Sequence, residues 1–203
     1  MKSTNQFMRI AQTFHRQAGM TLMEIIAALA IIAAVVVGAL ALFNSAQSSN
    51  TSVTIMRDIV VIRSAMQQLY LGQGTYKPTG AGDNDMNAQL KSSRKMPTDL
   101  PAISDSEGFR TPWGGTLSVK PFSVSGVYPY FSIVLTNVPP DICTQITTNL
   151  STGWSSTYAN SQLIGSMKPE DNHLYPVKPA DANTNCNPTS SGSGVQVEFR
   201  TIN

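Results

Sequence analysis

The sequence predicts an α+β fold. A long N-terminal helix, apolar all round in its first half and amphipathic in its second, packs on an antiparallel β-sheet. Three observations carry this. Ile25 to Phe43 contains no charged residue. Ile55, Ile59, Ile62, Met66 and Leu69 then recur at spacings of four, three, four and three, an apolar stripe on one helical face. Further on, segments within 116–137 and 195–202 carry aromatic, β-branched and alternating residues, as half-buried strands do.

The size of the chain, 203 residues, allows one domain plus an extension. Its formal charge of +2 comes without a basic stripe, so no specific nucleic acid is expected as a partner. Residues 1 to 19 hold Lys2, Arg9 and Arg16 and no acid, the composition of a segment retained in the cytoplasm. The run that follows, as a helix, spans about 28 Å, close to the thickness of a hydrocarbon core. A conventional signal peptide would use Ala39-Leu40-Ala41 as its small-x-small cleavage site and leave a secreted binding module. Against this, the run exceeds the usual signal length, and Glu24 at its mouth has no role. A plain anchor also leaves Glu24 idle, although a mid-bilayer carboxylate costs about 2.5–3.5 kcal/mol on insertion scales and less near the interface. The third reading is an anchor that later becomes an assembly surface.

Here the residues carry a resemblance. The stretch "AGMTLMEIIAALAII" (Ala18 to Ile32) resembles the class III signal of type IV prepilins. The resemblance implies that a prepilin peptidase cuts between Gly19 and Met20, that Met20 is then N-methylated, and that Glu24 is the signature acid at the fifth mature position. The 19-residue leader and the new Met terminus are similar to the type IVb branch, including PilS-like pilins. It also implies a pilin fold divided into a cleaved leader (1–19), a transmembrane and assembly half-helix (20–43), an amphipathic half-helix (44–72) and a globular head (73–203). The cut creates a cationic amine one helical turn from Glu24, and opposite charges that meet in an apolar interior are far better placed than either alone. The expected pair is the Met20 amine with Glu24, of the same or a neighbouring subunit. It removes three cations, leaving 11 basic residues against 12 acids.

Past Phe43, "NSAQSSNTS" (Asn44 to Ser52) is polar and poor in helix formers, either a weak point of the helix or an intact turn facing solvent. The helix is expected to run from about Thr21 to Leu71 and to end at Gly72 and Gly74. Arg57, Asp58 and Arg63 fall off the apolar stripe. Residues 75 to 115 read as a connecting loop with one short helix near Met86 to Lys91. The loop closes on "GFRTPWGG" (Gly108 to Gly115), similar to the Pro-Trp-Gly turn that precedes the first strand in pilins, with Trp113 as a packing anchor. Thr116 to Ser125 and Tyr128 to Asn137 form a hairpin broken at Gly126-Val127. Pro139-Pro140-Asp141 starts a helix carrying Ile142, Ile146 and Leu150. Leu163 to Met167 is a short strand and Val195 to Ile202 a half-buried final one.

Cys143 and Cys186 are the two cysteines. In an exported chain an even pair reads as a disulfide; retained inside, they would be two buried thiols. A bridge would pin irregular polar sequence such as "NTNCNPTSSGSG". By the resemblance, that bridged region is an exposed face meeting other subunits, hosts or recipient cells. No residue set has catalytic, metal-ligand or phosphate-cradling spacing, and His173 stands as a loop residue, so neither enzyme activity nor a cofactor is expected. The expected role is a structural subunit of a type IVb pilus: held in the inner membrane by lipid, processed by prepilin peptidase, and polymerised by the inner-membrane pilus assembly machinery. The product is a helical homo-oligomeric filament outside the cell, serving adhesion, cell–cell contact or conjugation. A type II secretion pseudopilin or a minor pilin is the related alternative.

Overall fold

The computed structural model describes residues 21–77, 85–104, 107–187 and 194–201. The chain divides into two compact units, Met1–Asn44 and Ser45–Asn203. The long helix α1 is Leu22–Leu69. Within it, Asn44 to Ser52 remain helical: Thr51 Oγ1 donates to Gln47 O and Ser52 Oγ to Ser48 O, both at 2.9 Å. Such back-bonding to the carbonyl four residues earlier satisfies small hydroxyl side chains inside a helix. Gly72 and Gly74, both at positive φ, follow the last turn.

In the second unit the elements after α1 are α2 (Asp85–Ser92), β1 (Ala102–Ser104), β2 (Gly108–Arg110), β3 (Thr116–Val124), β4 (Val127–Val138), α3 (Pro140–Asn149), β5 (Ser156–Ala159), β6 (Gln162–Ser166), α4 (Pro179–Cys186) and β7 (Val195–Arg200). The strands form one seven-stranded sheet in the order β1-β2-β3-β4-β7-β5-β6. Each of its strand pairs is antiparallel. Ser125 and Gly126, both at positive φ, make the β3–β4 connection, as two-residue hairpins demand.

Register sorts the side chains into two faces. Leu117, Leu135, Val197 and Ala159 form one cross-strand row; Val119, Ile133, Phe199 and Thr157 form the next. Both rows are buried in one core with Ile55, Ile59, Ile62 and Met66 of α1. The apolar stripe therefore meets the sheet, as its helical spacing requires. The Pro-Trp-Gly turn locks the strand ends. Trp113 Nε1 donates to Thr136 O at 3.1 Å, and a Cβ on Gly115 would stand 1.9 Å from that same oxygen.

Four sequence expectations are corrected. Residues 75–115 contain β1 and β2 as well as α2, so the Pro-Trp-Gly turn follows the first two strands. The region after Cys143 holds β5 and α4, and Asn183 to Cys186 of the supposedly irregular stretch are helical; Pro at the start of α4 suits its first turn, and Ala182 and Cys186 are buried. The short strand is Gln162–Ser166 rather than Leu163–Met167.

The fourth concerns Asp58, which faces the interior at 2 % exposure. Arg57 bridges it at 3.5 Å to Asp99 at 3.0 Å, clamping the end of the loop onto α1. Burial raises the Asp58 carboxyl above its ordinary 3.8, a shift that Arg57 opposes and Asp99 reinforces. The folded chain therefore holds this proton more tightly than the unfolded one. Stability from this group is full below the ordinary value and is lost as pH rises through the raised folded value. Asp58→Asn is expected to raise the melting temperature at neutral pH by about 2–4 °C and to flatten its acid dependence, read by calorimetry from pH 3 to 8. An unchanged pH profile would show that the carboxylate is not the group responsible.

Candidate functional site

The first unit presents a helical surface with no protein cover. From Leu22 to Phe43 every residue is exposed, Leu22 and Met23 at 79 % each. Exposed apolar area of this extent marks a surface made for lipid or for other protein. α1 is long and apolar enough in this part to cross a membrane, by length and composition.

Glu24 is the acid of its first turn. Its amide donates to Thr21 O at 3.0 Å and to Thr21 Oγ1 at 3.3 Å, and the Ile25 amide donates to Thr21 O at 3.2 Å. Thr21 thus caps the helix. A threonine three residues before a glutamate is the sequence form of a capping box, a signal that Thr21-Leu22-Met23-Glu24 carries in addition to its resemblance to the prepilin motif. A carboxylate in the first turn also meets the positive end of the helix dipole. Gly19 and Met20, the expected cleavage and methylation positions, lie outside the described residues, and so does the Met20 half of the expected pair with Glu24.

In the second unit, the structure joins Cys143 to Cys186 with their Cα atoms 5.7 Å apart, tying α3 to α4 across 43 residues. Both cysteines are fully buried. The enclosed segment is held at further points. Tyr175 OH and Thr157 Oγ1 are 2.7 Å apart, and Tyr175 and Val177 cross Gly165, where a Cβ would stand 2.5 Å from the tyrosine ring. Burial pushes the Tyr175 phenol up to about 12, with the Thr157 hydrogen bond acting the other way. Arg63 of α1 reaches the loop before β5, its guanidinium 4.7 Å from the Trp154 ring centre. Burial lowers the pKa of Arg63 from its ordinary value. His173 is half-exposed, with Nδ1 3.6 Å from Asp181. Among the described residues no group of His, Cys, Asp and Glu could hold a metal ion.

A lone first-turn acid on an uncovered apolar helix, that helix's amphipathic half on an antiparallel sheet, and a disulfide-bounded C-terminal region together define the type IV pilin precursor class. The chain belongs to the PilS family, whose N-terminal model matches residues 48–197. Residues 14–40 match the prokaryotic N-terminal methylation motif. Two relatives, each a major structural subunit of bundle-forming pilus, come from Escherichia coli O111:H- and O127:H6. Each is 25 % identical over 186 residues, covering 88 % of this chain and 92 % of its own. The fold is also similar to the type IVb pilin of Salmonella typhi (17 % identity, 74 % of this chain, 99 % of that one, TM-score 0.56). Against TcpA, a type IV pilin of Vibrio cholerae El Tor, the values are 15 % identity, 75 % of this chain, 99 % of that one and a TM-score of 0.57.

Proposed function

We propose that the chain is held in the inner membrane as a precursor, cut between Gly19 and Met20 by a prepilin peptidase, N-methylated on Met20, and polymerised by an inner-membrane assembly machinery into an extracellular, helical, homo-oligomeric filament. The observation that carries this is the uncovered helix with Glu24 at its head. Such a surface needs lipid before assembly and identical helices after it. The relatives' role as major structural subunits of a pilus supports the same reading and favours a non-enzymatic task.

Charge explains why the cut precedes assembly. The leader's Lys2, Arg9 and Arg16 hold that end in the cytoplasm. Their removal leaves one cation next to the apolar run, the new ammonium of Met20, four residues from Glu24. A cation at a helix N-terminus opposes the dipole, and Glu24 offsets it. Glu24 of an adjoining subunit does so equally well, and the pair then fixes how far one apolar helix slides along the next. The regions 1–19, 20–43, 44–72 and 73–203 serve as leader, anchor and assembly helix, amphipathic helix and head. Adhesion, cell–cell contact or conjugation are the tasks such a filament serves.

Mass spectrometry of the subunit recovered from sheared filaments tests the proposal. The expected N-terminus is methylated Met20. A start at Leu42, after Ala39-Leu40-Ala41, would replace this reading with that of a secreted module.

A further inference from the structure

The face of the sheet turned away from α1 carries a different pattern from the core rows. Lys120, Ser132, Arg200 and Ser156 stand in one cross-strand row. Ser118, Val134, Glu198 and Tyr158 form the next, and Phe122 pairs with Tyr130 at the end of the hairpin. The Arg200 guanidinium is stacked between two rings, 4.2 Å from the Phe122 centre and 4.0 Å from that of Tyr158. Glu198 grips it with both oxygens, at 2.8 Å to Nε and 3.3 Å to the terminal nitrogen. Stacked and doubly bonded, these side chains have little rotamer freedom left to lose on binding.

Two grooves open on either side of this cluster, with Phe122 and Arg200 lining both. One, of about 590 Å³, is edged by Thr116, Ser118, Ser132 and Thr136 hydroxyls. The other, of about 270 Å³, holds Tyr130 and Tyr158. Their charges are nearly balanced: Glu107 and Glu198 stand against Lys120 and Arg200 in the first, and Asp171 against Lys168 in the second, where the Arg200 that also lines the groove is already paired with Glu198.

We propose that this face is a binding site for an uncharged oligosaccharide. The chemistry selects it by complementarity. An anion entering either groove meets carboxylates, and a cation meets Arg200 and a lysine. An apolar helix would cover hydroxyls and fixed charges without pairing them, which is costly. A pyranose chain offers what the lining asks for: C–H faces to lie on Tyr130, Tyr158 and Phe122, and hydroxyls that both donate to and accept from Glu198, Arg200 and the serine and threonine side chains. Adjacent grooves sharing one wall suit a ligand of several rings rather than one. Polar groups fix its orientation while aromatic area holds it, the usual division of labour in a ligand cleft. The site belongs to the folded head, so its test on the single subunit does not depend on polymerisation.

The test uses the full chain in a zwitterionic detergent, since glycoside detergents would compete. It is applied to an array of neutral, sialylated and sulfated oligosaccharides, followed by NMR titration with the neutral hits. Neutral oligosaccharides are expected to bind, with shifts confined to the lining of the two grooves and, among the aromatic rings, to Phe122, Tyr130 and Tyr158. Tyr158→Ala and Phe122→Ala should each weaken binding about tenfold, while Tyr158→Phe, which keeps the ring, stays close to wild type. The ring shifts on the unaltered chain decide the matter even if an alanine variant does not fold. No neutral binding by the folded chain, preference for the charged sugars, shifts away from the two grooves, or full binding by a folded Tyr158→Ala chain would each overturn the proposal.

Discussion

Glu24→Gln is expected to leave a folded, membrane-inserted subunit that is missing from filaments. The substitution keeps the shape of the side chain and removes its charge. The Thr21 cap survives, because Thr21 Oγ1 accepts from the backbone amide of residue 24 rather than from its side chain. The head survives too, since its core draws on α1 only from Ile55 onward. What is lost is the counter-charge for the Met20 ammonium. An unpaired charge held among packed apolar helices costs about 3–5 kcal/mol when its partner is removed. At each subunit added, that corresponds to a hundredfold or greater loss in the assembly equilibrium, by roughly tenfold per 1.4 kcal/mol. Glu24→Ala should behave alike. Immunoblots of sheared filaments and of membranes separate the outcomes: full membrane signal with little or no filament signal is expected. Wild-type filament yield from either variant would contradict charge pairing.

The second large effect falls on the disulfide. Replacing Cys143 and Cys186 together by serine opens a loop of 43 residues. On the chain-entropy account this costs about 4 kcal/mol. For a chain of this size that corresponds to roughly 8–16 °C in melting temperature. The damage should be local before it is global. α4 is a polar helix of eight residues whose buried side chains are Ala182 and Cys186, so the bridge supplies much of what holds it. Limited proteolysis of the double variant should cut first between Met167 and Asn187 while the β3–β4 hairpin stays protected. A melting point within about 2 °C of wild type would mean that packing across Gly165 suffices without the bridge.

Legibility in the sequence followed physical range. The α1 stripe was readable because Ile55, Ile59, Ile62 and Met66 repeat with the helical period, and β7 because Val195, Val197 and Phe199 repeat with period two. The β3–β4 hairpin was readable because Gly126 permits positive φ at its turn. β1 and β2, at three residues each, are too short to show any period. β5 gains its identity from pairing with β7, a contact that no local window contains. Asp58 was misplaced for a related reason: it is buried in the folded chain, and the Arg57 beside it is held to Asp99, 42 residues away, a contact that no local window contains. In the candidate site, Glu24 stood out as an isolated charge beside an apolar run. Thr21 carried a cap signal that went unused. The outward row of Ser118, Val134, Glu198 and Tyr158 was invisible, because it exists only in cross-strand register.

The central claim is that the ammonium freed at Met20 meets Glu24 and so sets the register of neighbouring helices. A filament structure by electron cryo-microscopy, at a resolution that shows side chains, measures this directly. The account predicts the Met20 nitrogen within about 4 Å of a Glu24 carboxylate, the range of an ion pair. A filament in which Glu24 lies apart from any cation, or in which residues 1–19 are still attached, would contradict it.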